Sequence, residues 1–128
     1  MPWLLVFLGG GLGSITRYGV GQLMPPAGLE DGNIPWFTLV ANLLACIVLG
    51  VGVGLVSKEL LSKEMQLLLL TGFCGGFSTF STFALELVLL GDEGHWGNAA
   101  LYLGLSLMGG VVDILIAYWL IRYPFGSL

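Results

Sequence analysis

Charge is what this chain has least of. Only 9% of its 128 residues are Asp, Glu, Lys or Arg, where a water-soluble domain carries about 25%. With 56% hydrophobic residues and a mean hydropathy of +0.94, the chain is expected to lie in a membrane. Histidine occurs once, at His95, and cysteine twice, at Cys46 and Cys74. One imidazole and two distant thiols form no metal-ligand set, and no serine has the surroundings of a nucleophile, so nothing points to an enzyme. The two cysteines fall within apolar segments, where small packing residues are expected. Alternating polarity is also missing. Runs such as residues 67–70 and 88–90 are continuously apolar, which excludes a transmembrane barrel built of ~10-residue alternating strands. The net charge of −4 is spread over loops and two acids in apolar segments, giving no sign of a nucleic-acid partner.

What is present is apolar length. A helix needs ~20 apolar residues to cross the hydrocarbon core, and the segments 3–24, 36–57, 66–90 and 97–121 each supply them. They consume nearly all of residues 1–128, so the expectation is a single all-α integral-membrane domain of four transmembrane helices. No basic stretch precedes the first run, Arg17 interrupts it and no small-residue cleavage pattern follows. Residues 3–24 are therefore expected to be a retained span rather than a leader. The first loop holds Pro25, Pro26, Gly28, Glu30, Asp31, Gly32, Asn33 and Pro35, strong turn chemistry. The second, 58–65, spaces Lys58, Glu59, Lys63 and Glu64 as on a helix end running into water. The third, 91–97, is a short link that contains His95. Trp3, Trp36, Trp96 and Trp119 lie near segment ends, as an interfacial belt requires.

Small residues recur four apart at Gly9 and Gly13, Gly50 and Gly54, Gly72 and Gly76, and Ser106 and Gly110. In lipid such pairs permit close helix packing; with 21 glycines in the chain they support no more than that. Gly9-Gly10-Gly11-Leu12-Gly13 is not a dinucleotide loop, because no strand precedes it. Four spans would place Lys58, Lys63 and Arg122 on one side and no Lys or Arg in the opposite loops, which favours cytoplasmic termini.

Polar groups within the apolar segments mark the candidate site. Arg17 has two readings, since a central arginine costs roughly 2.5–3.5 kcal/mol. It faces protein or water at a vestibule, where it attracts anions, or it snorkels to the interface. Asn42 either offers amide donors to a pore or makes an interhelical hydrogen bond, the second being favoured on composition alone; Thr38 lies one turn earlier on the same face. Glu86 and Asp113 are acids in or near spans, which default to functional roles; Asp113 has no account. The strongest signal is residues 72–83, with three glycines, four hydroxyls and four phenylalanines inside a membrane-length segment. Glycine frees the backbone from helical geometry, and in lipid such a break must be buried in protein or line a cavity. Thr79, Thr82 and Glu86 share one helical face and Phe80 and Phe83 the adjacent one. Phenylalanines at this spacing usually pack. Alternating with hydroxyls, their positive ring edges could face an anion without trapping it, as permeation demands.

Three motifs carry a family resemblance. They are Gly9-Gly10-Gly11-Leu12-Gly13-Ser14-Ile15-Thr16-Arg17-Tyr18, Asn42-Leu43-Leu44-Ala45, and Thr71-Gly72-Phe73-Cys74-Gly75-Gly76-Phe77-Ser78-Thr79-Phe80-Ser81-Thr82-Phe83. Over essentially its whole length the chain resembles the Fluc (CrcB-type) fluoride channels. The resemblance implies an antiparallel, dual-topology dimer of four-helix subunits with the third helix broken at 75–80, in a cell membrane, with two pores for passive fluoride export. It implies Phe80 and Phe83 as pore phenylalanines, Asn42 as the amide beside them, Ser81, Thr82 and Glu86 as a polar track, Tyr102 near the pore mouth and Arg17 in a vestibule. A structural sodium ion (Na+) on the two-fold axis would be held by main-chain oxygens of Gly75 and Ser78. The chain departs from the pattern in its fourth span, where Ser106 and Gly109-Gly110 replace the Asn and Gly-Ser of many members. Its loop-charge asymmetry is also more than dual insertion favours, so a heterodimer with a paralogue stands beside the homodimer. The alternative function, a small dual-topology multidrug or guanidinium exporter, needs an acid in the first span, and none is present.

Overall fold

The computed structural model describes residues 1–123, and the described residues form helices and turns without a strand. Helix α1 is Pro2–Leu23 and α2 is Trp36–Ser57. Helix α3 covers residues 63–77, α-helical over Lys63–Met65, π-helical over Gln66–Cys74 and α-helical again over Gly75–Phe77. Helix α4 is Phe80–Asp92 and α5 is Trp96–Arg122. The segments Trp36–Ser57, Lys63–Asp92 and Trp96–Arg122 are long and apolar enough to cross a membrane. Helix α1 has 22 residues, which span about 33 Å, but its glycines, Arg17 and Gln22 dilute its apolar content.

Local chemistry explains the boundaries. Pro2 opens α1, where its missing N–H costs no bond. The Ser62 hydroxyl accepts from Met65 N at 3.2 Å and caps α3. The second loop is a turn rather than a continued helix end: α2 stops at Ser57, Glu59 takes a positive φ of 57°, and only Lys63–Met65 of this stretch is helical. The first loop is a 3₁₀ turn, Leu29–Asp31, closed by Gly32 in the left-handed region with φ 79°. It is tied to the start of α5, where the Asn98 amide donates to Gly32 O at 2.6 Å and His95 Nε2 lies 3.0 Å from Glu30 O.

Two helix pairs make the bundle, α1 against α3 and α2 against α5. Both rest on glycines at their points of closest approach. A Cβ on Gly9 would strike Leu68 O, one on Gly76 would strike Gly10 O, and one on Gly50 would lie 2.8 Å from Ala117 Cβ. At the α1–α3 contact main chain meets main chain, and at the α2–α5 contact Gly50 faces the Ala117 methyl and the Ile114 main chain, the close packing that small residues allow in lipid. Two apolar clusters fill the remainder. Leu39, Phe83, Leu90, Ala99 and Tyr102 form one; Ala41, Ala45 and Phe77 form the other.

The interruption between α3 and α4 is shorter than the expected 75–80. Gly75 is helical, with φ −63° and ψ −36°, Gly76 and Phe77 continue that helix, and Phe80 already begins α4. Only Ser78 (φ −78°, ψ 156°) and Thr79 (φ −147°, ψ 120°) are extended. Neither conformation requires glycine, which is why the break falls on hydroxyl residues. Gly72 and Gly76 serve close packing on α1 instead, while a Cβ on Gly75 would meet nothing within 4 Å.

Candidate functional site

The interruption exposes main-chain groups that a continuous helix would pair, and neighbouring side chains take most of them. Thr79 Oγ1 accepts from Thr82 N at 3.2 Å, so Thr79 caps α4. The Ser78 hydroxyl and N–H both donate to Cys74 O, at 2.8 and 3.0 Å, closing the last turn of α3. Asn42 reaches across from α2. Its Oδ1 accepts from Thr79 N at 2.7 Å and its Nδ2 donates to Thr79 O at 3.1 Å, a two-bond clamp on one extended residue. Arg17 Nε donates to Gly76 O at 3.2 Å. Among the described residues, the oxygens of Gly75, Phe77 and Ser78 receive no hydrogen bond.

Two recesses flank the break. One, of about 230 Å³, is lined by Asn42, Cys46, Ser78, Thr79, Phe80, Phe83, Ser106 and Leu107. The other, of about 200 Å³, is bounded by Ala45, Cys46, Leu49, Leu70, Cys74, Gly75 and Ser78. Helix α3 ends and α4 begins between them, so a partially negative and a partially positive helix end meet at the interruption.

The two phenylalanines differ sharply. Phe83 is 6% exposed and packs edge-on to Tyr102 at 5.1 Å, whereas Phe80 is 78% exposed, its ring 6.0 Å from that of Phe83. Ser81 is exposed beside Phe80, its hydroxyl 3.4 Å from that of Thr79. Behind Phe83 lies a buried polar cluster, in which Thr38 donates to Glu86 Oε2 and Tyr102 to Glu86 Oε1, each at 3.0 Å. Both carboxylate oxygens are thus satisfied by hydroxyls, which stabilises a buried acid that would otherwise be costly.

The geometry therefore gathers Asn42, Ser78, Thr79, Phe80 and Phe83 around one recess, with Thr38, Glu86 and Tyr102 directly behind it. A family model described as "CrcB-like protein, Camphor Resistance (CrcB)" matches residues 4–118. The chain belongs to the CrcB family. It is 40% identical over 125 residues to the fluoride-specific ion channel FluC of Serratia proteamaculans, covering 97% of this chain and 96% of that protein. It is 37% identical to the FluC of Phocaeicola vulgatus, over 91% of this chain and 95% of the relative. To the FluC of Escherichia coli K12 it is 38% identical, over 91% of each.

Two lining residues of this CrcB-family chain that carry a thiol or hydroxyl were not singled out for the site from sequence. Cys46 lies one turn after Asn42. Ser106 lies one turn after Tyr102, and its buried hydroxyl has no partner. The i to i+4 spacing from residues already chosen was the available signal. Asp113 is half-buried in α5 and lines neither recess.

Proposed function

We propose that the chain is the subunit of a fluoride-selective passive channel, with anions passing the recess at the α3–α4 interruption. The observation that carries this is the lining itself. Amide, hydroxyl and phenyl groups converge there with no side-chain cation, so a small, strongly hydrated anion meets donors and ring edges that bind weakly enough to release it. Membership of the CrcB family, whose relatives are named fluoride-specific ion channels, supplies the ion. Fluoride leaves down the membrane potential without chemical coupling. The chain is not an enzyme, and its apolar helices fit a multi-pass protein of the cell membrane.

The working unit on this reading is an antiparallel dimer of four-span subunits with two pores, α1 being the fourth span. Two features support it. Phe80, Ser81 and Gly75 are exposed on a single chain, and polar groups at that depth need covering by protein. Glu30, Asp31, Asp92 and Glu93 lie at one end, while Lys58, Lys63 and Arg122 lie toward the other, beside Glu59 and Glu64. A second copy inserted in the opposite sense sets the acidic end beside the end that carries the bases; a parallel copy sets the two acidic ends side by side.

A structural sodium ion fits the oxygens present. Gly75 and Ser78 keep free carbonyls next to the second recess, and a two-fold axis would double that set. Such an ion supplies positive charge to the negative end of α3 and takes no part in transport.

The test is fluoride efflux from liposomes holding the purified protein, read by electrode after a potassium ionophore is added. Rapid fluoride release without chloride release supports the channel. Absence of release from folded, reconstituted protein, alone and co-expressed with a paralogue, refutes it.

A further inference from the structure

We infer that Arg17 is the positioning residue of the interruption, and that it acts through its Nε–H bond to Gly76 rather than through its charge. The inference rests on the channel reading and assigns Arg17 work other than attracting anions.

The position of Arg17 is set by backbone packing. One turn before it, a Cβ on Gly13 would strike Phe73 O and lie 2.7 Å from Phe77 N. Helix α1 therefore meets the last turn of α3 main chain to main chain, and the side chain four residues on is delivered to that turn with little freedom. Its Nε takes Gly76 O at 3.2 Å. The carbonyls around the break then divide cleanly. Those of Cys74, Gly76 and Thr79 are held by Ser78, Arg17 and Asn42, while those of Gly75, Phe77 and Ser78 stay free. Arg17 thus fixes which oxygens remain for a cation. Gly76 O, held by the Nε–H, is removed from that set.

Side-chain chemistry separates bond from charge. Glutamine carries its amide nitrogen on Cδ, as arginine carries Nε, so Arg17→Gln keeps an N–H at that position and loses the charge. Lysine has a methylene there, so Arg17→Lys keeps the charge and loses the donor. The experiment compares amide hydrogen exchange over residues 76–83 in the reconstituted full chain, together with the sodium dependence of fluoride efflux.

The expected result is that Arg17→Gln exchanges like the unaltered chain, while Arg17→Lys exchanges faster by up to about tenfold, the scale of one lost hydrogen bond. Arg17→Lys is also expected to need more sodium for half-maximal efflux, and Arg17→Gln is not. Normal exchange in Arg17→Lys with faster exchange in Arg17→Gln overturns the inference in favour of charge. Unchanged exchange in both overturns the bond, and faster exchange in both overturns the claim that one N–H suffices. The exchange readout is independent of conduction, so a failure of the fluoride reading is distinguishable from a failure of this one.

Discussion

Replacing Asn42 by alanine tests the clamp on which the interruption depends. The side chain makes two bonds to Thr79, at 2.7 Å to its N–H and 3.1 Å to its carbonyl. Alanine leaves both main-chain groups unpaired beside the apolar cluster of Ala41, Ala45 and Phe77. A buried unpaired group costs about 1–3 kcal/mol, so two cost about 2–6; because the bonds are partly buried, the lower half applies, about 2–4 kcal/mol. Asn42→Asp keeps the acceptor for Thr79 N but sets an oxygen against Thr79 O, and its cost should be comparable to or above that of alanine if it stays ionised. The assay is denaturant unfolding of the protein in micelles, paired with amide exchange over residues 77–83. Destabilisation below about 0.5 kcal/mol, the range of an ordinary surface change, with unchanged exchange, would refute the clamp. Fluoride efflux of the same variant separates the two uses of the amide. Loss of efflux beyond the stability loss places Asn42 in the ion path as well.

Other perturbations follow from the same geometry. Phe80→Ala, at a position open within one subunit, is expected to destabilise the subunit less than Phe83→Ala, which should cost about 3–5 kcal/mol as a buried aromatic, yet to lower fluoride efflux. Equal stability losses in unfolding titrations would contradict the assigned difference in burial. A double-mutant cycle of Tyr102→Phe and Glu86→Gln should show a coupling of about 0.5 kcal/mol or more, because a hydrogen bond contributes about 0.5–1.5 kcal/mol; additive effects would mean that the cluster is not formed. Gly76→Ala drives a methyl into Gly10 O and should cost about 1–3 kcal/mol or more, whereas Gly11→Ala meets nothing within 4 Å and should gain about 0.8–1 kcal/mol in helix propensity. Matching effects of the two on unfolding would undo the account of the α1–α3 contact.

Much of the architecture could be read in advance because a membrane helix is a local object. In lipid every main-chain group must pair within its own segment, so apolar length alone located the helices: the segment expected at 36–57 is Trp36–Ser57, and that at 97–121 is Trp96–Arg122. Within residues 72–83, singled out by their composition, Ser78 and Thr79 are extended. The partner of each polar group was not local. Asn42 meets Thr79 across 37 residues, Thr38 meets Glu86 across 48, and Arg17 meets Gly76 across 59. Sequence spacing left the Asn42 amide with two readings and the arginine with two, because each depends on which face of one helix the packing turns toward another. That was decided by glycines at the α1–α3 and α2–α5 contacts, which bring main chains within reach and fix the rotation of each helix. The sequence by itself determined that this chain lies in a membrane as apolar helices with one breakable segment. Only tertiary packing decided that the break falls on Ser78 and Thr79, that Asn42 and Arg17 hold it, and that Phe80 is left open while Phe83 is buried.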